Sequence, residues 1–234
     1  MTKKMITKNI AAKKSLEKAK EIILQNLPTK NIISIYVGGS YIRDEMTDKS
    51  DVDTWTIVDD NSLMEPFEKL AEQVRNTTNP PISLAILSLW ELENDKIFNS
   101  SNKPKGRPSR FTKMVPYYKL LYGNPLNIRN LPVKSDKYDF VGLIKAFRNE
   151  FLPRYYQQKF GFNELINQLF WVIWFEQRLK GNDVGYSWKK LDETIKDPQH
   201  IIHKTWYYRN NHTTDEKKRA EFVKDLEEYL GKIE

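Results

Sequence analysis

Between Lys8 and Asn26, apolar side chains return every three or four positions, at Ile10, Leu16, Ala19, Ile22 and Ile23, with Leu27 just beyond. Lysines fill the gaps. That period predicts an amphipathic helix, closed by Pro28. The pattern then changes to Ile32-Ile33-Ser34-Ile35-Tyr36-Val37, a β-branched run ending at Gly38-Gly39 that predicts a buried strand. Val52 to Val58 alternates and predicts a second strand. Asp59-Asp60-Asn61-Ser62 is turn chemistry that can cap a helix from Leu63 to Arg75. Asn79-Pro80-Pro81 breaks the chain before a third strand, Ile82 to Leu87. The order helix, strand, strand, helix, strand predicts a small α/β (α+β) sheet domain.

After Tyr122-Gly123-Asn124-Pro125 and a polar connector from Asn130 to Lys137, only the helical period recurs. Phe140 to Tyr156, Asn163 to Leu179, Trp188 to Lys196 and Thr214 to Leu230 are each expected to be helices. Asp215-Glu216 suits the first turn of the last one. The expectation is a sheet-containing domain over residues 1–130 and an all-helical domain over 131–234.

Composition changes this picture little. At 234 residues with 39% hydrophobic positions, the chain can build such cores. The longest apolar run, Leu169 to Phe175, is far short of the roughly 20 residues a membrane span needs, so no membrane partner is expected. No apolar segment of signal-peptide type follows the basic N-terminus. The absence of cysteine excludes disulfides, thiolate metal sites and cysteine nucleophiles, and fits a cytoplasmic protein. The net charge of +7 admits two readings, an anionic partner such as a nucleotide or RNA, or a lysine-rich surface.

The chemistry concentrates between Gly38 and Asp53. Asp51 and Asp53 lie two apart at the opening of the second strand, where i and i+2 share a face. Two carboxylates so placed repel unless a cation joins them, and Mg²⁺ takes one or two carboxylates plus substrate phosphates. Gly38-Gly39-Ser40 follows a strand, can turn sharply, and can present backbone N–H groups and the Ser40 hydroxyl to phosphate. The Asp pair by itself reads equally as a turn and a strand start.

Taken together, Gly39-Ser40, eleven positions to Asp51, and Ser50-Asp51-Val52-Asp53 opening a strand resemble the signature of the DNA polymerase β-like nucleotidyltransferases, in particular their minimal and antibiotic-modifying branch. Leu120-Leu121-Tyr122-Gly123 is similar to the segment that closes that domain. The resemblance covers roughly residues 10–128 by motif. It implies a nucleotidyltransferase domain with a mixed sheet, then a helical C-terminal domain, with the site in a cleft between them. It also implies nucleotide binding at Gly38, Gly39, Ser40 and Ser50, and Mg²⁺ at Asp51 and Asp53. The reaction would transfer a nucleoside monophosphate from an NTP, ATP by expectation, to a hydroxyl of a small-molecule acceptor, an aminoglycoside-like antibiotic being one candidate. The basic net charge argues mildly against an aminoglycoside and leaves RNA or a protein hydroxyl as alternative acceptors. One departure stands out. Members usually carry a third carboxylate on the next core strand, where this chain offers Ser83 or Ala85. Candidate substitutes are Glu91 and Glu93 beyond that strand, and Glu150 and Glu176 in the helical half, Glu150 being assigned a catalytic role. The alternative is a nucleotide-binding or partner-binding module that has lost turnover.

Other features carry less. Lys103, Lys105, Arg107 and Arg110 form a basic loop suited to phosphates or to solvent. Lys189-Lys190 beside Trp188 reads the same way. The aromatics from Phe151 to Phe175 recur at helical spacing and are expected in the core. His200 and His203 could share a helix face, but with His212 they lack the surrounding ligands of a zinc site.

Overall fold

A computed structural model describes residues 3–47, 50–98, 107–182 and 184–233. The chain divides into two compact units, Met1–Val133 and Lys134–Glu234.

In the first unit, helix α1 (Lys3–Asn26) leads into β1 (Ile32–Val37), the four-residue helix α2 (Gly39–Ile42) and β2 (Val52–Val58). Helix α3 (Met64–Thr77) returns the chain to β3 (Ile82–Ser88). Two short helices, α4 (Leu89–Asn94) and α5 (Pro108–Met114), precede β4 (Lys119–Gly123). The strand order is β3-β2-β1-β4. β1 pairs antiparallel with β2 and β4, and β2 pairs parallel with β3, so the sheet is mixed.

Alternation sorts the strands onto two faces. Ile35, Val37, Val52 and Val58 pack against Leu16, Ala19 and Ile23 of α1 and Phe67, Leu70 and Val74 of α3. Tyr36, Ile57 and Leu87 face the other way and pack with Leu92 of α4 and Phe111 of α5. Asp53 and Trp55, in step with Ile57, belong to this second face.

In the second unit, α6 (Asp136–Ala146), α7 (Leu152–Tyr156), α8 (Phe162–Leu179), α9 (Trp188–Thr194), α10 (Ile201–Asn210) and α11 (Glu216–Lys232) form a helical bundle. α8 is its centre, contacted by α6, α7, α9 and α10. Phe162, Phe170, Trp174 and Phe175 are buried there and form core, while Phe151, Tyr155, Phe160 and Trp171 are half-buried and Tyr156 is exposed.

The expected helix over Phe140–Tyr156 is one helical course interrupted by a π-helical turn at Phe147–Phe151. Pro153 supplies the reason, because it lacks an N–H for the regular ladder. That course also begins earlier than the pattern suggested, since the Ser135 hydroxyl accepts from Tyr138 N at 3.2 Å and caps α6. α10 falls where the periodicity gave no signal. Its Nt cap is the His200 ring, whose Nδ1 accepts from Ile202 N at 3.1 Å. Among the described residues no helix is long and apolar enough to cross a membrane.

Candidate active site

The sharp turn after β1 has a defined shape. Gly38 N donates to Asp53 O at 3.0 Å, which continues the β1–β2 pairing one step into the turn. Gly39 then takes φ +65°, the left-handed region. A side chain there would overlap Asp53 Oδ2 and stand 2.9 Å from its Cγ. The Gly39 backbone therefore lies directly against the Asp53 carboxylate, an approach only glycine permits. Gly38 is closed in differently. A Cβ there would stand 2.6 Å from Tyr118 ring carbons and 2.9 Å from Trp55 Cζ3.

Ser40 is buried, and among the described residues its hydroxyl has no hydrogen-bond partner. The same holds for Asp51. It is half-buried, yet its carboxylate makes no ion pair or hydrogen bond among the described residues. An uncompensated carboxylate in that setting is costly. Asp51 and Asp53 flank Val52 and open β2, as the spacing required. Ser50 has a local role: its Oγ accepts from Thr47 N at 2.8 Å and meets Thr47 Oγ1 at 3.1 Å, stabilising the turn into β2. In the same spacer, Arg43 Nε donates to Glu45 Oε2 at 2.8 Å within a largely buried ion pair.

The β2–β3 register locates the third position. Asp53 pairs with Ser83, and Trp55 with Ala85, so the residue beside Asp53 on its face is a serine. The four glutamates that could substitute are placed as follows. Glu91 is fully buried at the start of α4, where its Oε2 accepts from Ser88 N at 2.9 Å and its Oε1 from Phe98 N at 2.8 Å. It is a capping residue with both oxygens committed. Glu93 is exposed on α4. Glu150 lies in the π-helical turn and pairs with Arg154 at 3.2 Å.

Glu176, on α8, is buried and accepts from Lys180 Nζ at 2.7 Å, Tyr229 Oη at 2.7 Å and His200 Nε2 at 3.2 Å. Burial raises its pKa, but the hydrogen bonds from His200, Lys180 and Tyr229 outweigh it and hold the carboxyl at about 2. Such a group is a structural anion and a poor base. Because His200 Nδ1 is an acceptor, Nε2 carries the proton toward Glu176. His203 Nδ1 meets Asp192 at 2.7 Å, and His212 Nδ1 meets Asn163 at 3.1 Å. Among the described residues no three potential metal ligands cluster. Lys103 and Lys105 of the basic loop lie outside the described residues, while Arg107 is exposed at the start of α5.

The local pattern missed by sequence reasoning is the aromatic group beside the turn. Trp55 and Tyr118 stack at 4.5 Å between centroids and 12° between planes, with Phe111 at 6.0 and 5.7 Å. The signal was Trp55 two residues after Asp53, on the same face.

A glycine turn thus lies against one carboxylate, with a second, unpaired among the described residues, beside it at the mouth of a mixed sheet. Residues 16–104 match the family model of the nucleotidyltransferase domain. The fold agrees with a solved structure, the spectinomycin adenyltransferase AAD(9) from Enterococcus faecialis with ATP and spectinomycin. That match has TM-score 0.60 at 15% identity and covers 94% of this chain and 98% of that one. A structure described as a toxin-antitoxin with AMP-PNP matches at TM-score 0.31 and 19% identity, over 46% of this chain and 73% of that one. No curated protein matches the chain.

Proposed function

We propose that the first unit binds a nucleoside triphosphate, ATP by preference, with Mg²⁺, and transfers its nucleoside monophosphate to a hydroxyl of a small, antibiotic-like molecule. The observation that carries this reading is Asp51, half-buried and unpartnered among the described residues, next to an Asp53 carboxylate that rests on the left-handed Gly39. The donor set is all oxygen, which suits Mg²⁺. Asp51 and Asp53 would hold the ion. When bound, it supplies positive charge to the phosphate oxygens.

The turn contributes its own chemistry. The unpartnered Ser40 hydroxyl is a donor for a phosphate oxygen, and Gly39 lets backbone approach the phosphates without side-chain obstruction. In the transfer, the acceptor oxygen bonds to the α-phosphorus, the bond from that phosphorus to the bridging oxygen breaks, and pyrophosphate leaves with the electron pair. The acceptor proton goes to a base. The sheet places Ser83, not a carboxylate, beside Asp53, so that base comes from elsewhere.

The serine at the third position favours a second reading, a module that binds nucleotide without turnover. Pyrophosphate release separates the two. With ATP, Mg²⁺ and a panel of acceptors that includes spectinomycin, the transferase reading expects acceptor-dependent release that Asp51→Asn abolishes. Nucleotide binding without release from any acceptor, small molecule, RNA or protein, would favour the module.

A further inference from the structure

The stacked pair Trp55–Tyr118 stands directly against the first glycine of the turn. Its ring carbons close on Gly38 so tightly that a single added methyl would meet Tyr118 at 2.6 Å and Trp55 at 2.9 Å. Gly38 is bonded through its N–H to the Asp53 carbonyl at 3.0 Å, and its successor Gly39 lies against the Asp53 carboxylate. Trp55 is itself two residues beyond Asp53 on the same face. The pair thus spans both halves of the site, coming from β2 on one side and from the residue before β4 on the other. Flat, half-buried rings with little rotational freedom make a firmer stop for a glycine backbone than aliphatic side chains would. Glycine, free to sample many conformations, needs such a stop to hold one turn.

We propose that the Trp55–Tyr118 stack is a positioning clamp, which fixes the Gly38-Gly39 backbone relative to the Asp53 carboxylate and so sets the affinity for the metal–nucleotide. The clamp rests on the nucleotidyltransferase reading of this turn. Its consequence is specific. Loss of the ring plane at position 118 loosens the turn and weakens nucleotide binding.

The test is calorimetric titration of the full chain with a non-hydrolysable ATP analogue and Mg²⁺. Tyr118→Ala is expected to weaken binding about 10-fold or more, the scale on which groups supporting metal ligands act. Tyr118→Phe, which keeps the ring against Gly38, is expected to retain more of the affinity than Tyr118→Ala. Gly38→Ala is expected to weaken binding strongly alone, and adding Tyr118→Ala should cost less than it does in the wild type, because the closer of the two clashing rings is gone and only Trp55 still crowds the methyl. If Tyr118→Ala does not fold, Tyr118→Leu, which keeps bulk and removes the plane, takes its place. Wild-type affinity in Tyr118→Ala or Tyr118→Leu, or strict additivity with Gly38→Ala, overturns the clamp alone. An unmutated protein that does not bind the Mg²⁺–analogue overturns the reading beneath it as well.

Discussion

Gly39→Ala is the substitution whose outcome the geometry constrains most. The residue sits at φ +65°, and an added methyl would overlap Asp53 Oδ2 and crowd Cγ at 2.9 Å and Cβ at 3.2 Å. Two costs follow. Holding an alanine in the left-handed region takes about 1–2 kcal/mol. Overpacking takes about 1–3 kcal/mol more, toward the low end if the carboxylate rotates aside. For a chain of this length about 2–4 °C is lost per kcal/mol, so the melting temperature of the sheet unit should fall by at least about 4 °C. The rotation that relieves the overlap also moves a proposed metal ligand, and displacing such a ligand typically costs 10–100-fold in affinity. The assay pairs a thermal melt with titration of Mg²⁺ and the ATP analogue. A Gly39→Ala protein that melts and binds like the wild type would refute both the left-handed backbone and its contact with Asp53.

Ser83→Asp would set a third carboxylate beside Asp53, about 5 Å away across the parallel strands. It should tighten Mg²⁺ binding in a metal titration, and unchanged affinity would mean that position 83 does not face the ion. Glu176 should confer a pH-dependent stability on the helical unit. Its folded pKa of about 2 lies below the ordinary glutamate value of 4.5, so the stabilisation is fully present above 4.5 and is lost as pH falls toward 2. The difference corresponds to about 3 kcal/mol. Urea unfolding followed by tryptophan fluorescence checks this, since Trp171, Trp174, Trp188 and Trp206 all lie in the helical unit. Glu176→Gln should remove that portion of the slope between pH 4.5 and 2, and an identical slope in the variant would contradict it.

The strands that flank the site were legible because each is a short run with a clear stop. Ile32–Val37 ends at glycines, Val52–Val58 alternates, and Ile82–Ser88 follows two prolines. β4 was not, because Lys119–Gly123 is an edge strand whose side chains are half-buried or exposed and which follows a helical turn without a break. α4 was hidden for another reason. It is six residues long, held by the buried Ser88–Glu91 capping box, and too short to display a period. α10 lacked a signal because its apolar residues are spread around the helix, and its cap is a histidine rather than one of the usual capping residues. At the site, the residue types and spacing pointed to Asp51, Asp53 and the glycines. They could not reveal that Gly38 and Gly39 serve different contacts, one against an aromatic stack and one against a carboxylate, because that depends on β4 bringing Tyr118 alongside β1.

The central claim is that Asp51 and Asp53 form a working metal–nucleotide site with the glycine turn. Its most direct test is calorimetric titration of the protein with a non-hydrolysable ATP analogue, with and without Mg²⁺, on the wild type and on Asp51→Asn/Asp53→Asn. The account predicts saturable binding that requires Mg²⁺ and disappears in the double variant while the melting temperature is kept. Binding indifferent to the metal and to the substitutions, or no binding by the wild type, would contradict it.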